Sequence, residues 1–180
     1  AAIKLKQAGF DNFIVLEQGG ELGGTWNWNQ YPGAECDVQS HLYSFSFESN
    51  PNWSRPYAGQ PEILDYLKHC AKKYEILEHI KFDTEVTKSS WSDKECHWTL
   101  STKHKQVYRS RIFVSAIGMM NKIVWPDIEA RESFKGSFFH SARWDHKIDV
   151  RNRNVGVIGL AASAIQFIPE IASTAKQLKL

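Results

Sequence analysis

Three short, predominantly apolar runs constrain the fold of this chain more than any other feature of its sequence. They cover residues 13–17, 112–118 and 155–158, and turn-forming residues bound each of them. Runs of this kind, without polar alternation, are typical of strands buried on both faces of a parallel sheet. A helical pattern at residues 1–9 precedes the first run, and another at 164–176 follows the third. The sequence therefore predicts an α/β fold that contains parts of two βαβ units.

The residues between the first two runs predict one helix and one small antiparallel sheet. Residues 61–78 carry apolar side chains at helical spacing, and Pro61 suits the first turn of a helix. From residue 80, the short alternating segments IKFDTEV, HWTLST and QVYRSR follow one another across charged turns. This pattern predicts an antiparallel meander beside the parallel sheet. Residues 18–60 are expected to be irregular, and a further strand is expected to begin near Leu180.

Charge and composition exclude several classes of function. The 180 residues carry 22 Lys and Arg against 20 Asp and Glu, a formal net charge of +2, and the two signs are interleaved. No basic stripe is available for nucleic acid or for a membrane surface. No apolar run approaches the roughly 20 residues that span a bilayer. With 42% apolar residues, the chain has enough material to build a core for one domain or for two partial ones.

The cysteine pattern is equally restrictive. Cys36, Cys70 and Cys96 are widely spaced and form no C-x-x-C pair, so neither a zinc site nor a dithiol redox centre is indicated. We expect no bound metal and a reducing, cytoplasmic setting.

Glu17 lies at the carboxyl end of the first apolar run. In dinucleotide-binding folds an acidic side chain at this position accepts hydrogen bonds from ribose hydroxyls. A surface glutamate at a strand end explains the same residue equally well.

Residues 23–37, which we call the aromatic loop, form the most distinctive stretch of the sequence. Two adjacent glycines, Gly23 and Gly24, let the backbone approach a ligand closely, and Trp26 and Trp28 offer flat apolar surfaces. A cofactor-binding loop fits these features. From composition alone, an irregular loop that caps the core is the favoured interpretation.

The aromatic loop, GGTWNWNQYPGAECD, closely resembles the loop that follows the ribose-binding acid in Baeyer–Villiger monooxygenases, an FAD- and NADPH-dependent branch of the flavin-containing monooxygenases. Those proteins usually carry G-G-T-W-x-x-N-x-Y-P-G-x-x-C-D. The resemblance implies that Glu17 binds the FAD ribose and that Val86 contacts the FAD adenine through its backbone. It also implies a set of flavin-site residues: Gly24, Thr25, Trp26, Asn27, Trp28, Asp37 and Tyr43.

Within that set, the resemblance implies a catalytic role for Asp37. Its carboxylate is expected to face the nicotinamide as well as the flavin, and to pair with an arginine that the family supplies from beyond Leu180. Glu35 stands where relatives often have arginine, so the nucleotide contact of that arginine is not expected in this chain.

A second resemblance lies in residues 134–145, FKGSFFHSARWD, which fit the F-x-G-x-x-x-H-x-x-x-W-[PD] fingerprint of the same family. Related enzymes that oxidise nitrogen or sulfur typically have tyrosine in place of Trp144. His140 on its own would be interpreted as a structural histidine. The resemblance implies that the fingerprint residues couple the two nucleotide-binding domains: Phe134, Gly136, His140 and Trp144.

A third resemblance lies in residues 156–166, GVIGLAASAIQ, which are similar to the NADPH-binding turn of the family. The helix N-terminus after such a turn favours phosphate. Ala161 replaces the middle glycine, and its methyl group is expected to hinder close approach of the cofactor. The Ala-Ile-Gly at 116–118 is similar to an A-T-G element that precedes the crossing between domains. The NADPH-binding residues implied are Gly159, Leu160, Ala161, Ala162, Ser163, Ala164 and Ile165.

Together these resemblances imply a partial flavoprotein with two Rossmann-like domains and the antiparallel meander as an insertion. Residues 1–118 would be an FAD-binding domain lacking its first strand and glycine loop, 119–154 an inter-domain linker, and 155–180 the start of an NADPH-binding domain. The implied reaction uses NADPH and O2 to insert oxygen into a ketone through a C4a-peroxyflavin. We expect the 180 residues alone to be inactive.

The sequence leaves three alternatives open. One is a flavin monooxygenase that oxidises amines or sulfides. Another is a disulfide reductase with two dinucleotide domains, but no C-x-x-x-x-C pair occurs among the three cysteines. The last is a degenerate nucleotide-binding module without catalysis, which the substitution at Ala161 favours.

Overall fold

The structure, a computed structural model, describes residues 1–118 and 120–180. Two compact units divide the chain. The first contains Ala1–Gly24 and Leu67–Met119, and the second contains Thr25–Tyr66 and Met120–Leu180. Each unit thus combines segments that are distant in sequence.

The first unit begins with the predicted helix and strand. Helix α1 spans Ala2–Gln7, and strand β1 spans Val15–Leu16. Strand β1 pairs in parallel with β2, Ile80–Lys81. The helix and the parallel strand are thus confirmed, although β1 is shorter than the predicted run.

Helix α3, Gln60–Lys73, is the longest helix among the described residues, and it follows α2, a single turn at Thr25–Trp28. Its buried positions, Ile63, Tyr66 and Cys70, recur at helical spacing. The helix ends five residues before the predicted residue 78. Glu75 adopts a left-handed conformation with φ of +52°, and Ile76 N–H donates to the Ala71 carbonyl over 2.8 Å. This bond satisfies a terminal carbonyl and stops the helix.

The antiparallel meander is present, but its first strand differs from the prediction. The strands are β3 Val86–Ser92, β4 His97–Thr102 and β5 Val107–Ser110, paired in that order. Residues 80–85 lie outside the first meander strand, because β2 pairs with β1 and a turn follows it. In that turn Asp83 has φ of +51°, and Thr84 N–H donates to the Glu17 carbonyl over 2.8 Å.

The predicted strand at residues 112–118 is absent, so that prediction was wrong. The side chains of Ile112, Val114 and Ile117 are 80%, 61% and 73% exposed. An apolar strand of a parallel sheet is stabilised by cover on both faces, and these side chains have little cover among the described residues.

The second unit contains a complete βαβ arrangement. Strand β6, Asn154–Gly156, pairs in parallel with β7, Gln177–Lys179, and helix α4, Ala162–Ala172, connects them. The buried side chains of α4 are Ala164, Phe167 and Ile171. Val155 and Leu178 of the sheet, and Tyr31 and Trp144 from segments distant in sequence, pack against them. This core confirms the predicted α/β unit.

The element boundaries in this βαβ arrangement differ from those predicted. Strand β6 ends at Gly156 rather than at 158, and α4 ends at Ala172 rather than at 176. Lys176 N–H already donates to the Arg153 carbonyl over 2.9 Å, so the chain leaves the helix early to join the sheet. Strand β7 consequently begins at Gln177, before the expected Leu180.

A second small core in this unit holds the irregular residues in place. Cys36, Ala58 and Ile63 are buried together, and Trp26 and Trp53 pack against them. A 3-10 turn at Ser40–Leu42 adds the buried Ser40, whose hydroxyl oxygen accepts a hydrogen bond from Ala58 N–H over 2.8 Å. The long loop is therefore anchored by buried side chains despite its lack of regular structure.

Candidate functional site

The aromatic loop begins with two glycines in conformations that other residues rarely adopt. Gly23 and Gly24 have φ of +122° and +51°, and open space lies where a Cβ of Gly24 would stand. The chain then enters α2, where Asn29 donates from its backbone and its side chain to the Thr25 carbonyl, both over 2.9 Å. The loop thus has a defined local structure.

Two neighbouring residues, Tyr43 and Gln60, hold Trp26 in place. Its indole Nε1–H donates to the Tyr43 hydroxyl over 3.0 Å, and the two rings meet edge to face at 5.6 Å. The Gln60 side chain donates to the Trp26 carbonyl. The structure therefore brings together Trp26 and Tyr43, two of the residues assigned to the flavin.

Trp28 packs against a residue that the sequence motifs did not identify. The Arg143 guanidinium lies 4.0 Å from the centroid of the Trp28 ring and donates to the Ala142 carbonyl over 2.6 Å. Burial lowers the pKa of Arg143 from its usual value. No ion pair to Arg143 occurs within residues 1–118 and 120–180. Arg143 borders an open surface groove of about 510 Å³ that is also lined by Asn27, Trp28, Gln30, Phe139, Trp144 and Asp145.

Gln166 joins the aromatic loop to helix α4. The Tyr31 hydroxyl donates to Gln166 Oε1 over 2.9 Å, and Gln166 Nε2 donates to the Glu35 carbonyl over 3.0 Å. Gly33 lies at the same junction with φ of +74°, and an added Cβ would stand 2.8 Å from the Gln166 carbonyl oxygen. Two of the motifs found in the sequence therefore contact each other within one compact unit.

The small-residue turn before α4 is open. Gly159 has φ of +96° with no atom near the position of a Cβ, and Leu160 and Ile165 are exposed. Ala161 has φ of −78° and ψ of −178°, an extended conformation that does not require glycine. Ala161 is also the N-cap residue, and its side chain forms no hydrogen bond to the amides of the first turn. These amides are available to an external acceptor.

The fingerprint residues do not act alike. His140 Nδ1 accepts from Ala142 N–H over 3.1 Å and so caps the 3-10 turn Ser141–Arg143. Trp144 packs on Phe167 of α4, with ring centroids 5.3 Å apart. Phe134 is 61% exposed and folds over Gly136, where an added Cβ would lie 2.6 Å from its ring. Trp144 thus contacts the core around α4, whereas Phe134 contacts its own segment.

Two predicted contacts lie in the first unit. The Glu17 carboxylate is half-buried and accepts from Gly19 N–H over 2.8 Å through Oε1. Val86 opens strand β3 and pairs with Thr102.

The acidic residues of the aromatic loop differ in their surroundings. Asp37 is exposed. Glu35, at the position where relatives often have arginine, forms an ion pair with Arg55 at 3.1 Å. The sequence motifs did not reveal Arg55, because the pair joins residues without a characteristic spacing.

Neither a metal site nor a membrane span is found among residues 1–118 and 120–180. No cluster of three or more metal-ligating side chains occurs there. No helix in the same residues is long and apolar enough to cross a bilayer.

Comparison with known proteins identifies relatives over the entire chain. A Baeyer-Villiger monooxygenase from Pseudomonas aeruginosa is 44% identical over 99% of this chain and 34% of its own length. A Baeyer-Villiger monooxygenase from Streptomyces coelicolor is 43% identical over 100% of this chain and 34% of its own length. The chain spans about a third of the length of these curated relatives.

Solved structures give the same result. An oxidized steroid monooxygenase bound to NADP has a TM-score of 0.90 and 38% identity, over 98% of this chain and 35% of that one. Cyclohexanone monooxygenase from Rhodococcus sp. Phi1 bound to NADP+ has a TM-score of 0.92 and 35% identity, over 98% and 34%. The model of the flavin-binding monooxygenase-like family matches residues 36–180. The chain therefore belongs to the flavin-binding monooxygenase-like family.

Proposed function

We propose that this chain is part of an enzyme that uses FAD, NADPH and O2 to insert an oxygen atom into a ketone, a Baeyer–Villiger oxidation. The relatives at 43–44% identity carry this reaction in their names. The chain matches about a third of each relative, so the activity of a whole protein is proposed from that part.

The observation that carries the proposal is the contact between the aromatic loop and helix α4. The side chain of Gln166 bonds to Tyr31 and Glu35, and Gly33 fits against the helix backbone. A hydride can pass between nicotinamide and flavin only when both cofactors lie in one cleft. A loop proposed to bind one cofactor and a helix proposed to bind the other are, in this unit, in direct contact.

The FAD site is proposed from residues of the aromatic loop together with Glu17 and Val86. Glu17 uses Oε1 for Gly19 N–H, which leaves Oε2 as an acceptor for a ribose hydroxyl. Gly24 offers open space above its backbone. The donor and acceptor chemistry of these residues fits the group. The remaining residues proposed to line the flavin are Thr25, Trp26, Asn27, Trp28, Asp37 and Tyr43.

The NADPH site is proposed at the turn before α4. The uncapped amides of the first helical turn and the positive end of the helix dipole favour a pyrophosphate. Ala161 has a backbone conformation open to any residue, and its methyl group is exposed. The alanine therefore does not distort the turn, and its effect is limited to the distance at which a phosphate can approach. The proposed residues are Gly159, Leu160, Ala161, Ala162, Ser163, Ala164 and Ile165.

The bound cofactors would supply hydride transfer and activation of O2. The protein would bind and orient the cofactors and the substrate, and would exclude water from the site. Trp26 and Trp28 provide flat apolar surfaces for this purpose, and both are held by neighbouring side chains. Asp37 is proposed as the carboxylate of the site, exposed and free to pair with a cation of the whole enzyme. The substrates are a small organic ketone and O2.

The division into an FAD-binding domain, a linker at 119–154 and the start of a Rossmann-like NADPH-binding domain is proposed on the same basis. His140 and Trp144 support coupling between the domains in different ways. His140 shapes the turn at 141–143, and Trp144 packs on the helix proposed to bind NADPH.

Product analysis tests the proposal. The protein expressed from its complete reading frame is supplied with FAD, NADPH and O2, and then with a cyclic ketone or a thioether in parallel. The expected product is the ring-expanded lactone, with oxygen from labelled O2. Formation of sulfoxide with no lactone from a range of ketones would instead favour a flavin monooxygenase that oxidises soft nucleophiles.

A further inference from the structure

The contact between Arg143 and Trp28 joins the fingerprint segment to the aromatic loop. Arg143 occupies a variable position of the fingerprint, between the fixed His140 and Trp144. We propose that Arg143 is a positioning residue, which holds the indole of Trp28 in the orientation that the nicotinamide and flavin require. The inference rests on the proposed function and adds a residue that the motifs do not assign.

The surroundings of Arg143 make the indole its main partner. The guanidinium lies 4.0 Å from the ring centroid, and its one hydrogen bond among the described residues goes to the neighbouring Ala142 carbonyl. No carboxylate within residues 1–118 and 120–180 forms an ion pair with it. A partly buried cation that lacks a carboxylate is stabilised by the negative face of an aromatic ring. The planar guanidinium can also stack flat on the indole, which restricts the ring.

The backbone around Arg143 is held on both sides. His140 caps the 3-10 turn that contains Arg143, and Trp144 packs on Phe167 of α4. Two consecutive residues of the fingerprint therefore contact different partners: Arg143 contacts α2 through Trp28, and Trp144 contacts the core of α4. A shift of this segment relative to α4 would be passed directly to the Trp28 ring.

The test compares Arg143→Met, Arg143→Lys and Trp28→Leu with the double variant Arg143→Met/Trp28→Leu, in the FAD-loaded protein from the complete reading frame. We expect Arg143→Met to raise the KM for NADPH roughly fivefold, as loss of a partly desolvated cation–π contact predicts, while kcat changes little. Arg143→Lys should recover part of the loss, because an ammonium keeps the charge but not the stacking plane. In the Trp28→Leu background, Arg143→Met should have no further effect on KM.

Arg131→Met is the matched control. Arg131 lies over the ring of Trp125 at 4.6 Å in the same unit, and its contacts among the described residues include none with the aromatic loop or α4. Its replacement should leave the KM for NADPH unchanged. A thermal melt of every variant separates positioning from folding, since a purely structural role lowers the melting temperature without changing KM.

The outcomes are distinguishable. One outcome overturns the role of Arg143 and leaves the proposed function standing. In that outcome the wild-type protein binds FAD and oxidises NADPH, but Arg143→Met leaves the KM for NADPH unchanged, or raises it by the same factor with and without Trp28→Leu. If the wild-type protein binds no FAD and oxidises no NADPH, the proposed function fails, and the role of Arg143 fails with it.

Discussion

Replacement of Gly33 by alanine tests the junction between the aromatic loop and helix α4. Gly33 has φ of +74°, and a Cβ there would stand 2.8 Å from both the Gln166 carbonyl oxygen and Glu170 Cγ. Glu170 can rotate away, but the Gln166 oxygen belongs to the helix backbone and cannot move alone. A left-handed alanine costs about 1–2 kcal/mol, and forcing a methyl group into a packed site costs about 1–3 kcal/mol. We expect Gly33→Ala to lower the free energy of unfolding by about 2–5 kcal/mol.

Thermal and urea denaturation followed by circular dichroism measure this effect. For a chain of this size, a loss of about 2–5 kcal/mol corresponds to a fall in melting temperature of roughly 4–20 °C. Gly9→Ala is the matched control, since Gly9 has φ of +81° with nothing within 4 Å of the added Cβ. In Gly9→Ala the free energy of unfolding should fall only by the cost of the left-handed backbone, about 1–2 kcal/mol. Equal losses in the two variants would contradict the packing of the loop against α4.

Three further predictions follow from other contacts. Gln166→Leu should lower the free energy of unfolding by about 1–3 kcal/mol, because it leaves the Tyr31 hydroxyl and the Glu35 carbonyl without their partner. Urea denaturation measures the loss, and an unchanged denaturation midpoint would contradict the role of Gln166 in joining the loop to α4. Hydrogen bonds from Arg151 lower the pKa of Asp149 from 3.8 to about 2, so this carboxylate contributes stability that is present above pH 3.8 and is lost as the pH falls toward 2. An NMR titration of Asp149 should show its pKa rising toward the ordinary value in Arg151→Met, and an unshifted titration would refute the pairing. In the native protein the exposed Cys96 should react rapidly with a thiol reagent. Cys36 is 2% exposed and its pKa is raised by burial, so it should react only after unfolding. Rapid labelling of Cys36 in the native protein would contradict its burial.

The sequence predicts elements well where local pattern and tertiary packing agree. The run around Val155 and the helix after it form a parallel unit, because the apolar side chains of both elements share one core. The same reasoning fails at residues 112–118. An apolar run indicates which side chains would be buried in a sheet, but it does not indicate whether neighbouring segments cover those side chains. The end of α3 was missed for another reason, because the left-handed conformation of Glu75 is not evident from a charged residue in a helical pattern.

The candidate site shows a similar contrast. Motif resemblance predicts that the aromatic loop, the fingerprint segment and the turn at Gly159 belong to one site. It did not identify the contact of Arg143 with Trp28 or that of Gln166 with Tyr31, because each pair is far apart in sequence and has no fixed spacing. Such contacts depend on the three-dimensional arrangement of the chain, which local patterns do not specify.

Anaerobic reduction of bound flavin tests the central claim most directly. The protein from the complete reading frame is loaded with FAD, freed of unbound cofactor and mixed with NADPH in the absence of O2. The account predicts that FAD remains bound and that NADPH rapidly bleaches the absorbance of oxidised flavin, whereas replacing Gly159 by a bulkier residue slows the bleaching without releasing FAD. Stable binding of FAD whose absorbance NADPH leaves unchanged, or failure to retain FAD at all, would contradict a shared site for the two cofactors.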